Sequence, residues 1–373
     1  MHIICLKEYL ERAVVIAERL CGKNSTLKIL QCFLLSVHEN KIEIIATDLE
    51  QSVRFTVPGK IQQEGMVVVP AHLFTQFIQH RPTGEKIELT IKQKTLNIRT
   101  PASHITLQTL PTEEFPIIPT VSEKASVYAF PTQTLLRGIA HTVPFTAFSD
   151  AKPEITGVFL KYQPPTLTFV ATDTFRLGVY EDHKNNNTND KGFSCIVPVR
   201  AAQEFIRIYA NEQGQCSLFI TPQQLFFHSE NVEFLTRLIE GNYPPYETVI
   251  PKEKKTTLVF PKKELTNQLL SVGVFAGRLQ DVSITPNTQQ QRVSLQTKHE
   301  GVGAGEAQLS ARVNGEEYTT FFNLKYLLDG LQQCDAAEVV WWLNGATAPS
   351  LIQQNPATES ATVFRYVLMP IRM

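Results

Sequence analysis

The sequence has few of the residues that build metal sites, disulfide frameworks or membrane spans. It holds 6 Cys, 4 Met and 2 Trp among 373 residues. No two cysteines form a Cys-x-x-Cys pair and no histidine cluster lies beside them, which argues against a structural zinc site and against a disulfide framework. No stretch approaches the roughly 18 consecutive apolar residues that a membrane-spanning helix needs. We therefore expect no metal, no cofactor and no membrane partner.

An excess of one charge is also missing. The chain has 35 Lys and Arg against 36 Asp and Glu, a net charge of −1. This balance excludes a strongly basic protein that coats DNA, so a polyanion would have to be held by a local patch. The N-terminal residues carry acids and no apolar core followed by a cleavage site, so they do not read as a signal peptide. The cytoplasm is the expected location.

A long internal repeat is the most informative feature that is present. One order of elements recurs three times at a shift of about 125 residues. Each copy has a helix, an alternating strand, a second helix, a pair of strands and a closing strand. The junctions at 115–119 and 243–246 are rich in proline, which breaks helices and central strands. The sequence predicts three domains, at residues 1–120, 121–250 and 251–373.

The periodicities predict two helices in each copy. Leu10, Ala13, Val14 and Ala17 have the spacing of one helix face. The first helices are predicted at 7–21, 132–148 and 262–276, and the second helices at 73–80, 201–209 and 324–333. Pro70 and Pro198 are expected in a first helical turn, and Asn323 as an N-cap. Alternating strands are predicted at 41–48, 166–173 and 292–298. The fold class is α+β, with both helices of a copy on one face of a predominantly antiparallel sheet.

No set of residues with catalytic spacing is apparent. The segment 22–25 (Gly-Lys-Asn-Ser) lacks the glycine and the order of a phosphate-binding loop, and the glycine-rich segment 301–305 is typical of a hairpin tip. Asp48 and Asp173 occupy equivalent positions after Ala-Thr, where an aspartate usually caps a turn. An acid/base pair formed by these two carboxylates is the alternative. The chain is not expected to be an enzyme.

Positive charge is concentrated in the predicted helices. The windows around the six helices hold twelve Lys and Arg against seven Asp and Glu, whereas the rest of the chain holds 23 against 29. A surface lined by all six helices would attract a phosphate backbone without reading base sequence. Ordinary surface charge that serves only solubility is the alternative interpretation.

Four segments in fixed order carry a family resemblance. They are 172–177 (Thr-Asp-Thr-Phe-Arg-Leu), 237–246 (Arg-Leu-Ile-Glu-Gly-Asn-Tyr-Pro-Pro-Tyr), 322–329 (Phe-Asn-Leu-Lys-Tyr-Leu-Leu-Asp) and 369–373 (Met-Pro-Ile-Arg-Met). Together with the threefold repeat, they make the whole chain resemble the bacterial sliding clamps, the DNA polymerase III β subunit family. The resemblance implies three clamp domains per chain, forming half of a closed ring. Two chains would associate head to tail as a homodimer around double-stranded DNA and tether a polymerase for processive synthesis.

The resemblance also implies binding sites. Implied partners are the DNA polymerase III alpha subunit, the clamp loader, and other polymerases and repair proteins, all bound through short linear motifs. Their cleft would be formed by Ile155, Thr172, Thr174, Phe175, Arg176, Leu177, Pro244, Thr248, Val249, Met369, Pro370, Ile371, Arg372 and Met373. DNA-facing candidates are Arg12, Lys23, Asn24, Arg81, Lys152, Arg200 and Arg207. Ile105 and Leu107 are expected at one edge of the dimer interface, and Val274 and Phe275 at the other.

The sequence departs from the usual family pattern at several of these positions. The family commonly has Gly-His where Thr174 and Phe175 stand, a basic residue in place of Thr248 and leucine in place of Met373. A bulky Phe175 predicts a narrower cleft. Pro153 and Glu154 stand where the best-known members have aromatic residues, and Lys23-Asn24 replaces a Gly-Arg pattern, which predicts weaker DNA contact.

A monomeric scaffold with three repeats, which recruits proteins without encircling DNA, is the competing interpretation. It differs from the ring in its mass in solution.

Overall fold

Six α-helices are present in the residues that the structure, a computed structural model, describes: 1–22, 27–121, 126–149, 151–184, 191–354 and 362–372. They are α1 Lys7–Leu20, α2 Ala71–Gln79, α3 Thr132–Thr142, α4 Val199–Tyr209, α5 Lys262–Gly273 and α6 Leu324–Gln332. None of them is long and apolar enough to cross a membrane.

Strands make up most of the remaining regular structure. Before residue 120 they are β1 His2–Leu6, β2 Cys32–His38, β3 Lys41–Thr47, β4 Gln51–Thr56, β5 Gly59–Gln63, β6 Gly65–Pro70, β7 Lys86–Lys92, β8 Thr95–Arg99 and β9 His104–Gln108. The middle third has β10 Ser126–Pro131, β11 Gly157–Gln163, β12 Thr166–Thr172, β13 Arg176–Asp182, β14 Phe193–Pro198, β15 Gln215–Ile220, β16 Gln224–His228 and β17 Val232–Arg237. The last third has β18 Thr256–Pro261, β19 Asp281–Asn287, β20 Arg292–His299, β21 Gly303–Ser310, β22 Arg312–Gly315, β23 Thr320–Asn323, β24 Glu338–Leu343, β25 Ser350–Gln354 and β26 Thr362–Leu368.

The chain forms two compact units, each with two sheets. The first unit comprises Met1–Gln133 and Glu204–Leu238, and the second comprises Thr134–Gln203 and Ile239–Met373. The sheets of the first unit have the orders β5-β1-β7-β8-β9 and β10-β15-β16-β17-β4-β3-β2-β6. Those of the second have the orders β14-β11-β12-β13-β26-β25-β24-β18-β22 and β21-β20-β19-β23. All the pairings given for these strands are antiparallel, so the predicted α+β class with antiparallel sheets is confirmed.

The strands of the middle third are divided between the two units. In the first unit β17 pairs with β4, from Val232 opposite Phe55 to Thr236 opposite Gln51. In the second unit β13 pairs with β26, starting with Arg176 opposite Leu368. Backbone hydrogen bonds therefore make each large sheet continuous across a proposed domain junction. The three-domain boundaries themselves stay a prediction.

The predicted apolar stripe of the first helix is confirmed. In α1, Leu10, Ala13, Val14 and Ala17 are all buried. The helix packs against α2 and against strands β2, β3 and β4, and α2 also contacts β2. Both helices of this copy therefore cover the same sheet, as the pattern predicted.

The first helices of the second and third copies end earlier than predicted. The helix predicted over 132–148 stops at Thr142 and is followed by a short 3₁₀ turn, Val143–Phe145. Pro144 explains the difference because it lacks an N–H and disfavours helical geometry in the residue before it. In the third copy α5 ends at Gly273 rather than at residue 276.

Two of the second helices begin two residues earlier than predicted, at Ala71 and Val199, and the third begins at Leu324 as predicted. Pro70 and Pro198 are the last residues of β6 and β14, immediately before α2 and α4, rather than members of the first helical turn. Asn323 is an N-cap as predicted, since its side-chain oxygen accepts a hydrogen bond of 3.0 Å from the N–H of Tyr326. The glycine-rich segment connects β20 to β21, where His299 pairs with Gly303, so its hairpin assignment is confirmed.

Candidate functional site

A tight turn between β12 and β13 lies at the centre of the candidate site. The hydroxyl of Thr172 donates to the carbonyl of Arg176 at 2.7 Å, and one carboxylate oxygen of Asp173 accepts the N–H groups of Phe175 and Arg176, each at 3.0 Å. Thr174 has φ +78°, a left-handed conformation that is unusual for a β-branched residue. Asp173 therefore caps a turn, as does Asp48 through Glu50 and Gln51 in the first unit. These contacts give no support to a role in acid/base chemistry.

Arg176 is held by contacts on every side of its guanidinium. Its Nε lies 2.9 Å from Asp173, Nη1 lies 2.6 Å from Asp329 and Nη2 donates to the carbonyl of Pro144 at 3.2 Å. The guanidinium also stacks over the ring of Tyr326, 4.1 Å from its centroid. Burial alone would lower the pKa of Arg176, but the bonds to Asp329 and Asp173 outweigh burial and raise it. The positive charge of Arg176 is therefore balanced within the protein by Asp173 and Asp329.

An open cavity of about 340 Å³ lies beside this turn, within the second unit. Its base is apolar, since Leu177 and Val367 are buried in one cluster with Tyr246. Its rim is exposed, with 60% of Phe175 and 47% of Val249 accessible to solvent. We call this cavity the cleft. It is lined by Lys152, Glu154, Ile155, Thr172, Thr174, Phe175, Arg176, Leu177, Pro244, Pro245, Tyr246, Thr248, Val249, Val367 and Met369.

The structure brings together ten of the fourteen residues that the resemblance assigned to this site. They are Ile155, Thr172, Thr174, Phe175, Arg176, Leu177, Pro244, Thr248, Val249 and Met369. They come from four separate stretches of chain: the 3₁₀ turn Pro153–Ile155, the β12–β13 turn, the proline-rich linker and the end of β26. Because the base of the cavity is apolar, the cavity is suited to an apolar side chain of a ligand.

The segment after β26 contributes less than expected. The N–H of Met369 donates to the carbonyl of Phe175 at 2.9 Å, which fixes Met369 at the wall. The chain then leaves the cleft, because the N–H of Ile371 bonds to the carbonyl of Phe321 at 2.8 Å. In the described part of the chain, the lining of the cleft does not include Pro370, Ile371 or Arg372. Met373 lies outside the described residues.

Several lining residues were not anticipated in this role. Tyr246 and Val367 complete the apolar base, and Glu154 and Pro245 contribute to the wall. Tyr246 was visible only as the end of the proline-rich junction, and Val367 only as one apolar position of a strand. Lys152, which stays a predicted DNA-facing residue, also lines the cleft.

Three of the predicted DNA-facing arginines have partners within the first unit. Arg12 forms an ion pair with Glu212, and Arg207 lies 2.6 Å from Glu204. Arg81 donates to Ser103 at 3.0 Å. Arg200 is exposed near the start of α4, in the second unit. Lys23 and Asn24 lie outside the described residues. Pairing to acids reduces the charge that Arg12 and Arg207 could offer to a phosphate.

The predicted interface residues lie at edges of two sheets. Ile105 and Leu107 are half-buried on β9, the last strand of its sheet in the first unit. Val274 and Phe275 follow α5 in the second unit and are 76% and 37% exposed. The Phe275 ring packs on β21, where a Cβ at Gly305 would lie only 3.0 Å from it.

The described residues hold little sign of metal or thiol chemistry. No group of three or more His, Cys, Asp and Glu side chains is placed to bind a metal among them. All six cysteines are buried and free, and burial raises the pKa of Cys5 and Cys195 to about 12. Thiols with such pKa values are protonated and unreactive near neutral pH.

Comparison with known proteins gives the same assignment over the whole chain. Residues 1–119, 129–245 and 247–372 match the N-terminal, central and C-terminal domains of the DNA polymerase III beta subunit. Curated relatives named beta sliding clamp include those of a Synechocystis strain, 26% identical, and Bacillus subtilis, 25% identical, each matched over 100% of both chains. A crystal structure of the sliding clamp from Pseudomonas aeruginosa has a TM-score of 0.94 at 22% identity and covers 100% of both chains, so it supports the fold. The Bacillus subtilis clamp structure has a TM-score of 0.93 at 25% identity and covers 100% of this chain and 99% of its own. The chain belongs to the DNA polymerase III beta subunit family.

Proposed function

We propose that this chain is a DNA sliding clamp, a ring dimer that encloses duplex DNA and tethers the replicative polymerase. The observation that carries the proposal is the succession of three beta-subunit domains along residues 1–372. The family is the processivity subunit of the polymerase and is not itself a catalyst.

The mechanism is topological. Enclosure keeps the protein on DNA without tight phosphate contacts, and a tethered polymerase has a high effective concentration at the primer end. A net charge of −1 suits this task because strong electrostatic binding would slow sliding. The cytoplasm is the proposed location.

The ring would close through strand edges of two chains. β9 and β21 are terminal strands of their sheets and therefore present unpaired backbone groups on one side. Apolar side chains lie beside both edges: Ile105 and Leu107 on β9, and Val274 and Phe275 beside β21. Pairing β9 of one chain with β21 of another would cover both edges, and two such contacts would close a head-to-tail dimer.

The DNA path would be lined by the helices. The basic residues predicted to face DNA differ in how much free positive charge they offer. Among the predicted contacts, Arg12 and Arg207 are already paired to acids, whereas Lys152 forms no ion pair with the described residues. Phosphate contacts would be few and independent of base sequence. Changes to single arginines of the first unit should therefore alter DNA retention only slightly.

The cleft would bind short linear motifs of partner proteins. Its apolar base and exposed rim fit a peptide that inserts aliphatic or aromatic anchors, which usually carry most of the affinity. Proposed partners are the DNA polymerase III alpha subunit, the clamp loader, and other polymerases and repair proteins. Met369 in the wall can adapt to anchors of different shape, which favours more than one partner.

Sedimentation of the purified protein tests ring assembly. The chain has a mass of 42.0 kDa, and we expect a species of twice that mass at micromolar concentration. Phe275→Asp should shift it to the monomer because a carboxylate would be buried in the interface. Ile117→Asp is the control, since Ile117 is 97% exposed and lies on neither proposed edge. A strictly monomeric native protein would favour the scaffold interpretation.

A further inference from the structure

A separate cavity lies on the four-stranded sheet of the second unit, and its volume is about 350 Å³. In this sheet Val293 and Leu295 of β20 and Leu309 of β21 are buried, and both strands contact α5. Because side chains alternate between the two faces of a sheet, Ser294 and Gln308 lie on the face opposite α5, where they line the cavity. In the described structure this cavity shares no lining residue with the cleft. We call it the sheet cavity.

The wall of the sheet cavity is hydrophilic. Four side chains with a hydroxyl group and three with an amide line it, together with one guanidinium and one carboxylate, and Pro286 completes the lining. An apolar ligand would bury these groups without giving them hydrogen bonds, which is unfavourable. The volume is in the range of sites for small organic molecules. The sheet cavity is therefore suited to a small ligand with many hydrogen-bonding groups.

The guanidinium of Arg292 is available to a ligand. Its Nη1 donates to Oε1 of Gln308 at 3.3 Å, a long bond to a neutral amide, and Arg292 forms no ion pair with the described residues. On the neighbouring strand β22, by contrast, Arg312 lies 3.0 Å from Glu338. A guanidinium binds phosphate or carboxylate oxygens through two parallel hydrogen bonds, which are stronger than a bond to an amide. An anion could therefore replace Gln308 as the partner of Arg292.

Two hydroxyl groups of the wall are buried without a partner. The hydroxyl oxygens of Ser294 and Tyr318 have no hydrogen-bond partner among the described residues. Ser294 pairs directly with Gln308 across β20 and β21 and lies two positions from Arg292 on the same face, so the Arg292–Gln308 bond lies beside it. An anion that replaces Gln308 on Arg292 would come within reach of the Ser294 hydroxyl. Because a buried hydroxyl without a partner is unfavourable, a ligand that supplies the partner gains affinity.

Glu317 determines the chemistry at the other end of the sheet cavity. Its Oε1 accepts the hydroxyl of Thr288 at 2.5 Å and the N–H of Thr288 at 2.6 Å, and these bonds lower the pKa of Glu317. Its carboxylate is therefore charged near neutral pH. Arg292 lies on β20 and Glu317 just before β23, two strand positions away, which corresponds to about 10 Å between their backbones. A ligand would thus carry its anion at one end and hydrogen-bond donors at the other.

We propose that the sheet cavity is a binding site for a sugar phosphate. The phosphate group binds the guanidinium of Arg292 and the hydroxyl of Ser294, and the sugar hydroxyls bond to Glu317 and Tyr318. A phosphate fits better than a carboxylate because its three outer oxygens can accept from Arg292 and Ser294 at the same time. Neither the cleft nor the proposed ring is needed for this site.

Calorimetric titration of the full chain with ribose 5-phosphate and with glucose 6-phosphate tests the site. At least one of them should bind at a single site, and ribose or inorganic phosphate alone should bind at least about ten-fold more weakly because each meets only one end. Arg292→Gln should weaken binding of the sugar phosphate at least about ten-fold. Arg312→Gln is the matched control, since Arg312 is an exposed arginine of the same unit outside the cavity, and it should leave the affinity unchanged.

Two further variants separate a role in binding from a role in the fold. Ser294→Ala removes a buried hydroxyl without a partner, so the free protein should unfold at the same or a higher temperature while the affinity falls about three- to ten-fold. Glu317→Gln should weaken binding of the sugar phosphate but not of inorganic phosphate. Equal affinities for inorganic phosphate and both sugar phosphates would overturn the assignment of the sugar. The site itself would be overturned if neither sugar phosphate bound at about 10 mM, or if binding survived Arg292→Gln.

Discussion

The first and second units contain the same turn, but the cleft lies beside only one of them. In the first unit the hydroxyl of Thr47 donates to the carbonyl of Gln51 at 2.8 Å and the N–H of Leu49 to that hydroxyl at 3.0 Å. Thr172 makes the matching bonds at 2.7 and 3.1 Å in the second unit. The central residues have nearly equal angles, φ +77° at Leu49 and +78° at Thr174. The backbone of the repeat is therefore conserved within the chain, and side chains account for the difference.

The side chains around the two turns make different contacts. Gln51 is buried with its Oε1 unpartnered in the described structure, whereas Arg176 ties its turn to Asp329 and Tyr326. Phe115, in the proline-rich junction at 115–119, packs in a closed cluster with Ile29, Leu30, Cys32, Ile45 and Val68. Tyr246, in the proline-rich junction at 243–246, lies in the base of an open cavity, the cleft. A repeated architecture can thus keep a closed core in one copy and a binding surface in another.

Removing residues 369–373 should have the largest effect on this contrast. The deletion eliminates the Met369 wall and its bond to Phe175. We expect peptide binding to the cleft to weaken by about 2–4 kcal/mol, as for the loss of a central anchor site, and the dimer to persist. Anisotropy and sedimentation measure the two outcomes. Retained affinity would mean that the wall is not part of the binding site.

Opening the closed cluster of the first unit should give the next largest effect. Phe115→Ala removes a buried ring and should cost about 3 kcal/mol of the stability of that unit. Hydrogen exchange of amides in β2, β3 and β6 measures this local stability. Leu73→Ala, at a 54% exposed position of the same unit, is the control and should cost little. A loss below about 1 kcal/mol for Phe115→Ala would show that the cluster does not depend on its linker.

Replacing Arg176 and Gln51, the equivalent residues at the ends of the two turns, by alanine tests the comparison further. Arg176→Ala leaves two largely buried carboxylates without their cation, so the second unit should lose about 2–4 kcal/mol. Gln51→Ala removes an amide whose oxygen already lacks a partner, so the first unit should lose about 1 kcal/mol or less. Urea unfolding followed by hydrogen exchange distinguishes the units. Equal losses would contradict the assignment of the buried ion network to the second turn alone.

Glycine at the centre of each turn should have the smallest effect, and the same sign in both units. Leu49 and Thr174 hold left-handed angles that glycine adopts without strain. Thr174→Gly and Leu49→Gly should each stabilise their unit by about 0.5–1 kcal/mol. Thermal unfolding measures the change. Opposite signs would show that at least one of these side chains makes a contact that outweighs the strain.

The sequence was sufficient for features that depend on local chemistry. Asn323 as an N-cap and the apolar stripe of α1 followed from spacing alone. It was insufficient where distant segments meet. Nothing near Arg176 in the sequence indicates that Asp329 would pair with it, because the two lie in elements that only folding brings together. The family pattern identified most of the cleft, yet it did not include Tyr246, Val367 or Lys152 among the cleft residues.

Retention on circular DNA tests the central claim of enclosure most directly. After loading onto a closed circle by a clamp-loader ATPase, the protein should stay bound at about 1 M salt, where phosphate contacts are screened within roughly 3 Å. Cutting the circle should release it, because a ring can slide off a free end. Release by salt from the intact circle, or retention on the cut DNA, would contradict a topological link.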